Sequence, residues 1–155
     1  MEDLLPLTSK ILLSALLGGV IGYEREIHRH EAGLRTHILV CMGSCLIMLT
    51  SGHVFDIYRD IAVVDPSRIA AGVITGIGFI GAGAIIREGS SIKGLTTAAS
   101  LWVTSAVGLA VGSEFYGAAV ITAAIALVVL LLLRSFGKDL LLGKRRKEAK
   151  HGTRE

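Results

Sequence analysis

Apolar residues fall in five long runs, at positions 4–23, 37–55, 69–86, 95–112 and 115–133, each bounded by charged or turn-forming residues. The hydrocarbon core of a bilayer takes about 20 mainly apolar residues per helix, and five runs of that size fill most of a chain of 155 residues. The pattern predicts five transmembrane helices. The runs are continuous rather than alternating, and about twice as long as the strands of a membrane barrel, which argues against that fold. The third and fourth runs are rich in Gly, Ala, Ser and Thr. Such residues weaken a soluble helix but let membrane helices approach closely.

Composition points the same way, with 52% hydrophobic residues and a further 19 glycines and a mean hydropathy of +0.63. Together with the length, these values argue against a disordered chain, a disulfide-stapled secreted domain and a membrane protein with a large separate enzymatic domain. The expectation is an all-α membrane protein: a compact glycine-rich bundle over residues 1–134, then a basic tail at 135–155.

Charge sets the expected orientation. Of sixteen Lys and Arg, thirteen share the side of the C-terminal tail, Arg59 and Arg68 lie on the other, and Lys10 falls inside the first run. Basic loops stay in the cytoplasm, so the C-terminus should be cytoplasmic and the N-terminus outside. The leading residues, Glu2 and Asp3, are acidic, so the first run reads as a retained helix rather than a cleaved signal peptide. Aromatic residues favour the headgroup level. Phe55, Tyr58, Phe115 and Tyr116 would form the outer belt, and Tyr23 and Phe136 the inner one. Phe79 and Trp102 fall within spans, where Trp102 reads as a packing residue whose indole N–H finds a polar neighbour. Lys10, about two turns into its helix, is expected to snorkel outward.

Small residues recur at helix-packing spacing: Ser14, Gly18 and Gly22; Gly72 and Gly76; Gly78 and Ala82; Gly108 and Gly112. Gly81 and Gly83 extend the third set. These seams serve contacts within one chain or in a homodimer equally well. Residues 76 to 81 fit the dinucleotide pattern GxGxxG, but they lie inside an apolar run, and the later segment Thr96 to Val103 carries no carboxylate for a ribose, so the match is rejected. An offset of 61 aligns Gly22 with Gly83, Gly33 with Gly94, Leu34 with Leu95, Thr36 with Thr97 and Ser44 with Ser105. That is suggestive of two copies of one helical hairpin, and coincidence is an equal reading.

The polar residues cluster at the breaks. Asp65-Pro66-Ser67-Arg68 opens the third run, where Asp is a preferred N-cap and Pro suits the first helical position. The same carboxylate would be the first met by a cation entering from outside. Glu24-Arg25-Glu26 follows the first run, and Gly33-Leu34-Arg35-Thr36-His37 leads into the second. Glu24 with His28, or Glu26 with His30, could share a helix face, yet a solvated, salt-bridged loop is the simpler account. His53 reads as an outer interfacial residue. Cys41 and Cys45 lack the CxxC spacing of zinc or redox sites and read as small packing residues.

Glu24-Arg25-Glu26, Gly33-Leu34-Arg35-Thr36-His37, Asp65-Pro66-Ser67-Arg68-Ile69-Ala70-Ala71, Gly76-Ile77-Gly78-Phe79-Ile80-Gly81-Ala82-Gly83 and Lys93-Gly94-Leu95-Thr96-Thr97-Ala98-Ala99-Ser100-Leu101-Trp102 together resemble the MgtC/SapB family of bacterial inner-membrane proteins. The resemblance runs from the first span to about residue 115. It implies a multi-pass plasma-membrane protein tied to growth at low magnesium and, in some members, to survival inside host phagocytes. The family name suggests magnesium transport. Longer members continue into a soluble cytoplasmic domain, which this chain is expected to lack. The tail, with Lys144 to Lys147, suits anionic lipid headgroups better than nucleic acid.

Three functions follow as expectations. The first is a non-enzymatic modulator that binds other membrane proteins through the small-residue seams. The alternative is a transporter of Mg²⁺ or another cation, with Asp65 at an outer mouth and Glu24, Thr96 and Thr97 near an inner one. The third, an intramembrane enzyme, lacks a nucleophile–base pair. The candidate functional residues are Asp65, Arg68, Glu24, Arg25, Glu26, Arg35, Thr96, Thr97 and Trp102. No cofactor is expected beyond Mg²⁺ as ligand or signal, and the expected partners are the lipid bilayer, other membrane proteins or a second copy of the chain.

Overall fold

The computed structural model describes residues 4–132. Leu133, Phe136 and the basic tail lie outside the described residues, as do Glu2 and Asp3. Five helices account for the five apolar runs: α1 (Leu4–Ile27), α2 (Leu34–Tyr58), α3 (Ser67–Gly83), α4 (Leu95–Gly112) and α5 (Tyr116–Leu132). Of these, α1, α2 and α4 are long and apolar enough to cross a membrane, while α3 and α5 are shorter apolar helices.

The helix ends depart from the apolar runs because hydropathy locates the lipid boundary, whereas hydrogen bonding and capping locate the helix boundary. The first helix continues past Tyr23 through Glu24-Arg25-Glu26, all good helix formers. It closes in a Schellman motif: His30 N–H bonds Arg25 O at 3.1 Å, Arg29 N–H bonds Glu26 O at 3.0 Å, and Arg29 sits at φ 54. The second helix starts three residues before the predicted run because Glu26 Oε2 accepts the Leu34 N–H at 3.0 Å. The third run does not extend to Ile86. Its helix stops at Gly83, and Ile86–Glu88 (β1) pairs antiparallel with Ser91–Lys93 (β2), an exposed hairpin that the sequence reading missed. The turn glycine Gly89 (φ 61) with alternating Ile and charged residues was the available signal. Beyond the hairpin, Gly94 adopts φ 84 directly against the Ala84 carbonyl, a place without room for a β-carbon.

Contacts fix the helix directions. His37 meets Ser100, Ser44 meets Ser105, and Cys45 meets Gly112, so α2 and α4 run parallel. Gly18 lies against Cys41 and Gly22 against Leu34, so α1 runs antiparallel to α2. Gly81 near Ala98 and the Ser51–Pro66 hydrogen bond set α3 antiparallel to both. One end of the bundle, here the base, therefore collects the 28–33 loop, the hairpin and the N-termini of α2 and α4. The opposite end, the top, collects residues 59–66 and 113–115.

Polar and apolar side chains share the interior, where Ile21, Leu101, Val107 and Val111 are also buried. Ser14, His37, Ser44, Ser51, Thr97, Ser100, Thr104 and Ser105 are buried, whereas Leu12, Leu16, Phe79, Ile121 and Ile125 face outward. Large apolar patches on the outside of a monomer mark a lipid or protein contact. Three of the seven buried hydroxyls bond to their own helix, Ser14 to Ile11 O, Ser100 to Thr97 O and Thr104 to Ser100 O, each at 2.8 Å; Ser44 and Ser105 bond each other, Ser51 bonds Pro66 O and Thr97 bonds Glu31. So satisfied, they pack as small groups.

The glycines divide into two sets. A β-carbon on Gly18 would lie 2.7 Å from Cys41 Cβ, on Gly22 2.8 Å from Leu34 Cα, on Gly108 2.8 Å from Ser44 Cβ and on Gly112 2.7 Å from Cys45 O. These four let α1, α2 and α4 meet backbone to backbone, and Gly81 makes ordinary contact with Ala98. A β-carbon on Gly72, Gly76, Gly78 or Gly83 would meet nothing within 4 Å, and Gly72 and Gly76 line an open pocket of about 490 Å³ that α3 shares with α2 and Ser105. Trp102 also departs from expectation. It is 51% exposed on the outer face of α4, and no hydrogen bond from it occurs among the described residues.

The two glycine sets should respond oppositely to substitution. Gly108→Ala is expected to destabilise the detergent-solubilised protein by about 1–3 kcal/mol through overpacking. Gly76→Ala should be neutral or gain up to about 1 kcal/mol from helix propensity. Thermal unfolding of the two variants checks this.

Candidate functional site at the base of the bundle

The Glu24–Glu26 segment, expected in a solvated loop, lies on the last turn of α1. Glu24 and Arg25 are both buried, with Arg25 NH1 3.4 Å from Glu24 Oε2. The correction follows from the longer helix, which carries the pair under the 28–33 loop and against the start of α2. The Glu24–His28 pairing considered from i,i+4 spacing does form, with His28 Nδ1 2.8 Å from Glu24 Oε1. Glu26 instead reaches across to cap α2.

Acidic side chains gather here because two parallel helices present their N-termini at this end, where unpaired N–H groups and the helix dipoles favour negative charge. Glu26 serves α2. Glu31 accepts a hydrogen bond from Thr97 Oγ1 at 2.8 Å, in the first turn of α4. That bond and a backbone N–H hold the Glu31 carboxyl below the usual carboxylate range. Burial, reinforced by the positive charge of Arg25, pushes the His30 imidazole below its ordinary value.

His37 is fully buried between α1 and α4. Its Nδ1 is 2.9 Å from the Gly33 carbonyl, so that nitrogen must carry a hydrogen. Its Nε2 is 3.1 Å from Ser100 Oγ, which also lies 2.8 Å from Thr97 O. Ser100 has one hydrogen for two acceptors. A neutral imidazole draws that hydrogen to Nε2; an imidazolium donates from Nε2 and leaves it on the Thr97 carbonyl.

The candidate residues are thus only partly brought together. Glu24, Arg25, Glu26 and Thr97 join at the base, while Arg35 and Thr96 are exposed. Asp65 and Arg68 are at the top, where Asp65 Oδ1 accepts Ser67 N–H at 2.8 Å and Ser67 Oγ–H at 2.6 Å, so the expected capping role is met. These bonds lower the Asp65 carboxyl. The sequence reading passed over Glu31 and Glu114, and quoted His37 and Ser100 only within motifs. The Lys10 ammonium does not snorkel into solvent alone; it bonds Glu114 Oε1 at 2.6 Å, pairing residues far apart in sequence. Among the described residues, no group of three His, Cys, Asp or Glu side chains is placed to hold a metal ion.

Several apolar helices with large apolar side chains on the outside mark a helical membrane protein. Residues 11–138 match the MgtC family, and the chain belongs to it. It is 47% identical over 123 residues to YhiD of Escherichia coli K12, named as a candidate magnesium transporter, covering 78% of this chain and 57% of that protein. It is 40% identical over 119 residues to the protein MgtC of Brucella abortus, covering 77% of this chain and 48% of the relative. For the protein MgtC of Salmonella typhimurium the values are 39% over 129 residues, 83% and 53%. The chain therefore spans about half the length of these relatives. No solved structure matches it.

Because the folded state lowers the affinity of His30 for a proton, its contribution to stability is complete above the ordinary histidine range and declines as pH falls below about 6.5. Thermal stability in detergent should drop between about pH 7 and 5, with a shallower slope in His30→Gln. In ¹⁵N spectra, His37 Nδ1 should stay protonated across this range; a Nδ1-unprotonated tautomer would contradict the assignment.

Proposed function

We propose that this chain is a non-enzymatic modulator in the bacterial inner membrane, supporting adaptation to low magnesium by binding other membrane proteins. The chain crosses the bilayer five times, with its N-terminus outside and its C-terminus in the cytoplasm. The distribution of Lys and Arg supports this orientation. The alternating helix directions are compatible with it, and the open glycine face of α3 offers a contact surface.

The observation that carries the reading is the backbone-to-backbone packing of α1, α2 and α4 at Gly18, Gly22, Gly108 and Gly112. Magnesium retains several of its waters when bound by protein, and this interface leaves no width for a hydrated ion. Asp65, the carboxylate expected at an outer mouth, is engaged with Ser67 instead.

Reconstituted into proteoliposomes, the protein should give no Mg²⁺ flux above empty vesicles under any ionic gradient. Uptake that disappears in a folded Asp65→Asn variant would replace this reading with transport. Reporter fusions after residues 30, 90 and 150 should report cytoplasmic, and those after 60 and 113 periplasmic.

A further inference from the structure

At the top of the bundle, α1, the end of α2 and the α4–α5 turn flank an open pocket of about 550 Å³. This is far larger than a single water or ion requires and within the usual range for small-ligand sites. Its walls divide by chemistry: Leu7, Leu46 and Leu49 are apolar, whereas Lys10, Asp56 and Glu114 carry charges of both signs. Lys10 is the more enclosed cation, its side chain 15% exposed, and among the described residues one of its three N–H donors is used, by Glu114. The carboxylates of Glu114 and Asp56 are at the open rim; Asp56 lies 3.6 Å from Arg59.

We propose that this pocket binds a phospholipid with a primary-amine headgroup, phosphatidylethanolamine in chemical class. The spare Lys10 donors take the phosphate, the rim carboxylates take the ammonium, and an acyl chain follows the leucine wall. The lining sets the carboxylates Asp56 and Glu114 against Lys10 and His53, with Arg59 3.6 Å from Asp56, so both signs of charge are presented, as a zwitterionic headgroup requires. A choline headgroup has no N–H to donate, so the carboxylates discriminate between the two zwitterions. The exposed Tyr58, Phe115 and Tyr116 at the same end suit the headgroup level of a bilayer. Glu114 occupies the left-handed region, φ 63, as the closing residue of a Schellman motif. Glycine would be the less strained choice there, but would remove the carboxylate that meets Lys10. The inference rests on the chain lying in a bilayer, and not on whether it modulates other proteins or transports ions.

Native mass spectrometry of the full chain in detergent, titrated with phosphatidylethanolamine, phosphatidylcholine and phosphatidylglycerol, tests it. Phosphatidylethanolamine should be retained about tenfold more strongly than the other two, as one charge-assisted hydrogen bond would give. Glu114→Gln should bring it to the level of phosphatidylcholine, and Lys10→Met should weaken all three, with thermal melts confirming that both variants fold. Soluble phosphoethanolamine at equal concentration should leave the lipid adduct in place. Equal retention of the three lipids, a preference for phosphatidylglycerol, folded variants that keep the wild-type pattern, or full displacement by phosphoethanolamine would each overturn the proposal.

Discussion

Three helix backbones in near contact are the constraint on which the rest of the molecule depends. Where α1, α2 and α4 meet at Gly18, Gly22, Gly108 and Gly112 there is no space for side chains, so the interface holds together by close packing rather than by expelling water. Lipid tails are as apolar as leucine and supply no hydrophobic drive between helices. Small residues therefore belong at the helix contacts, and Ile21, Leu101, Val107 and Val111 fill the interior beside them. The small hydroxyl side chains share this interior for the same reason.

The same packing organises the two ends. Parallel α2 and α4 bring two helix N-termini side by side at the base, and this positive end draws in Glu26 and Glu31, each hydrogen-bonded to the first turn of a helix. Their loop covers Glu24 and Arg25, which would otherwise lie at the water boundary. At the top, α1 begins where α4 ends, so Lys10 meets a carboxylate from the following turn instead of water. Both ends use a non-glycine residue in the left-handed region, Arg29 and Glu114, to turn the chain sharply after a helix. That tightness keeps residues 28–33 and 113–115 close to the bundle.

The number and order of the helices were legible in the sequence because a run of apolar residues has one good solution in lipid. So was the capping by Asp65, whose local chemistry is complete within three residues. The ends of α1 and α2 were not, because the caps come from across the loop, from Glu26 to Leu34, and no periodicity records that. The hairpin at 86–93 was obscured by isoleucines that extend the apolar run of α3. The base cluster was half legible: Glu24, Arg25, Glu26 and Thr97 stand out as motifs. Glu31, Ser100 and Glu114 look ordinary until the fold brings them to Thr97, His37 and Lys10. Seam spacing identified the glycines of α1, α3 and α4 alike, and only the packed structure separates those in close contact from those without a neighbour within 4 Å.

The hydrogen bond between Ser44 and Ser105, 2.9 Å between hydroxyls 61 positions apart, joins residues that the offset of 61 makes counterparts. The starts of α2 and α4, Leu34 and Leu95, differ by the same 61. The likeness stops there: Gly22 packs with its β-position 2.8 Å from Leu34 Cα whereas its counterpart Gly83 has nothing within 4 Å, and buried Cys41 corresponds to exposed Trp102. The two hairpins share a spacing and one polar contact, while each seats its small residues in its own way.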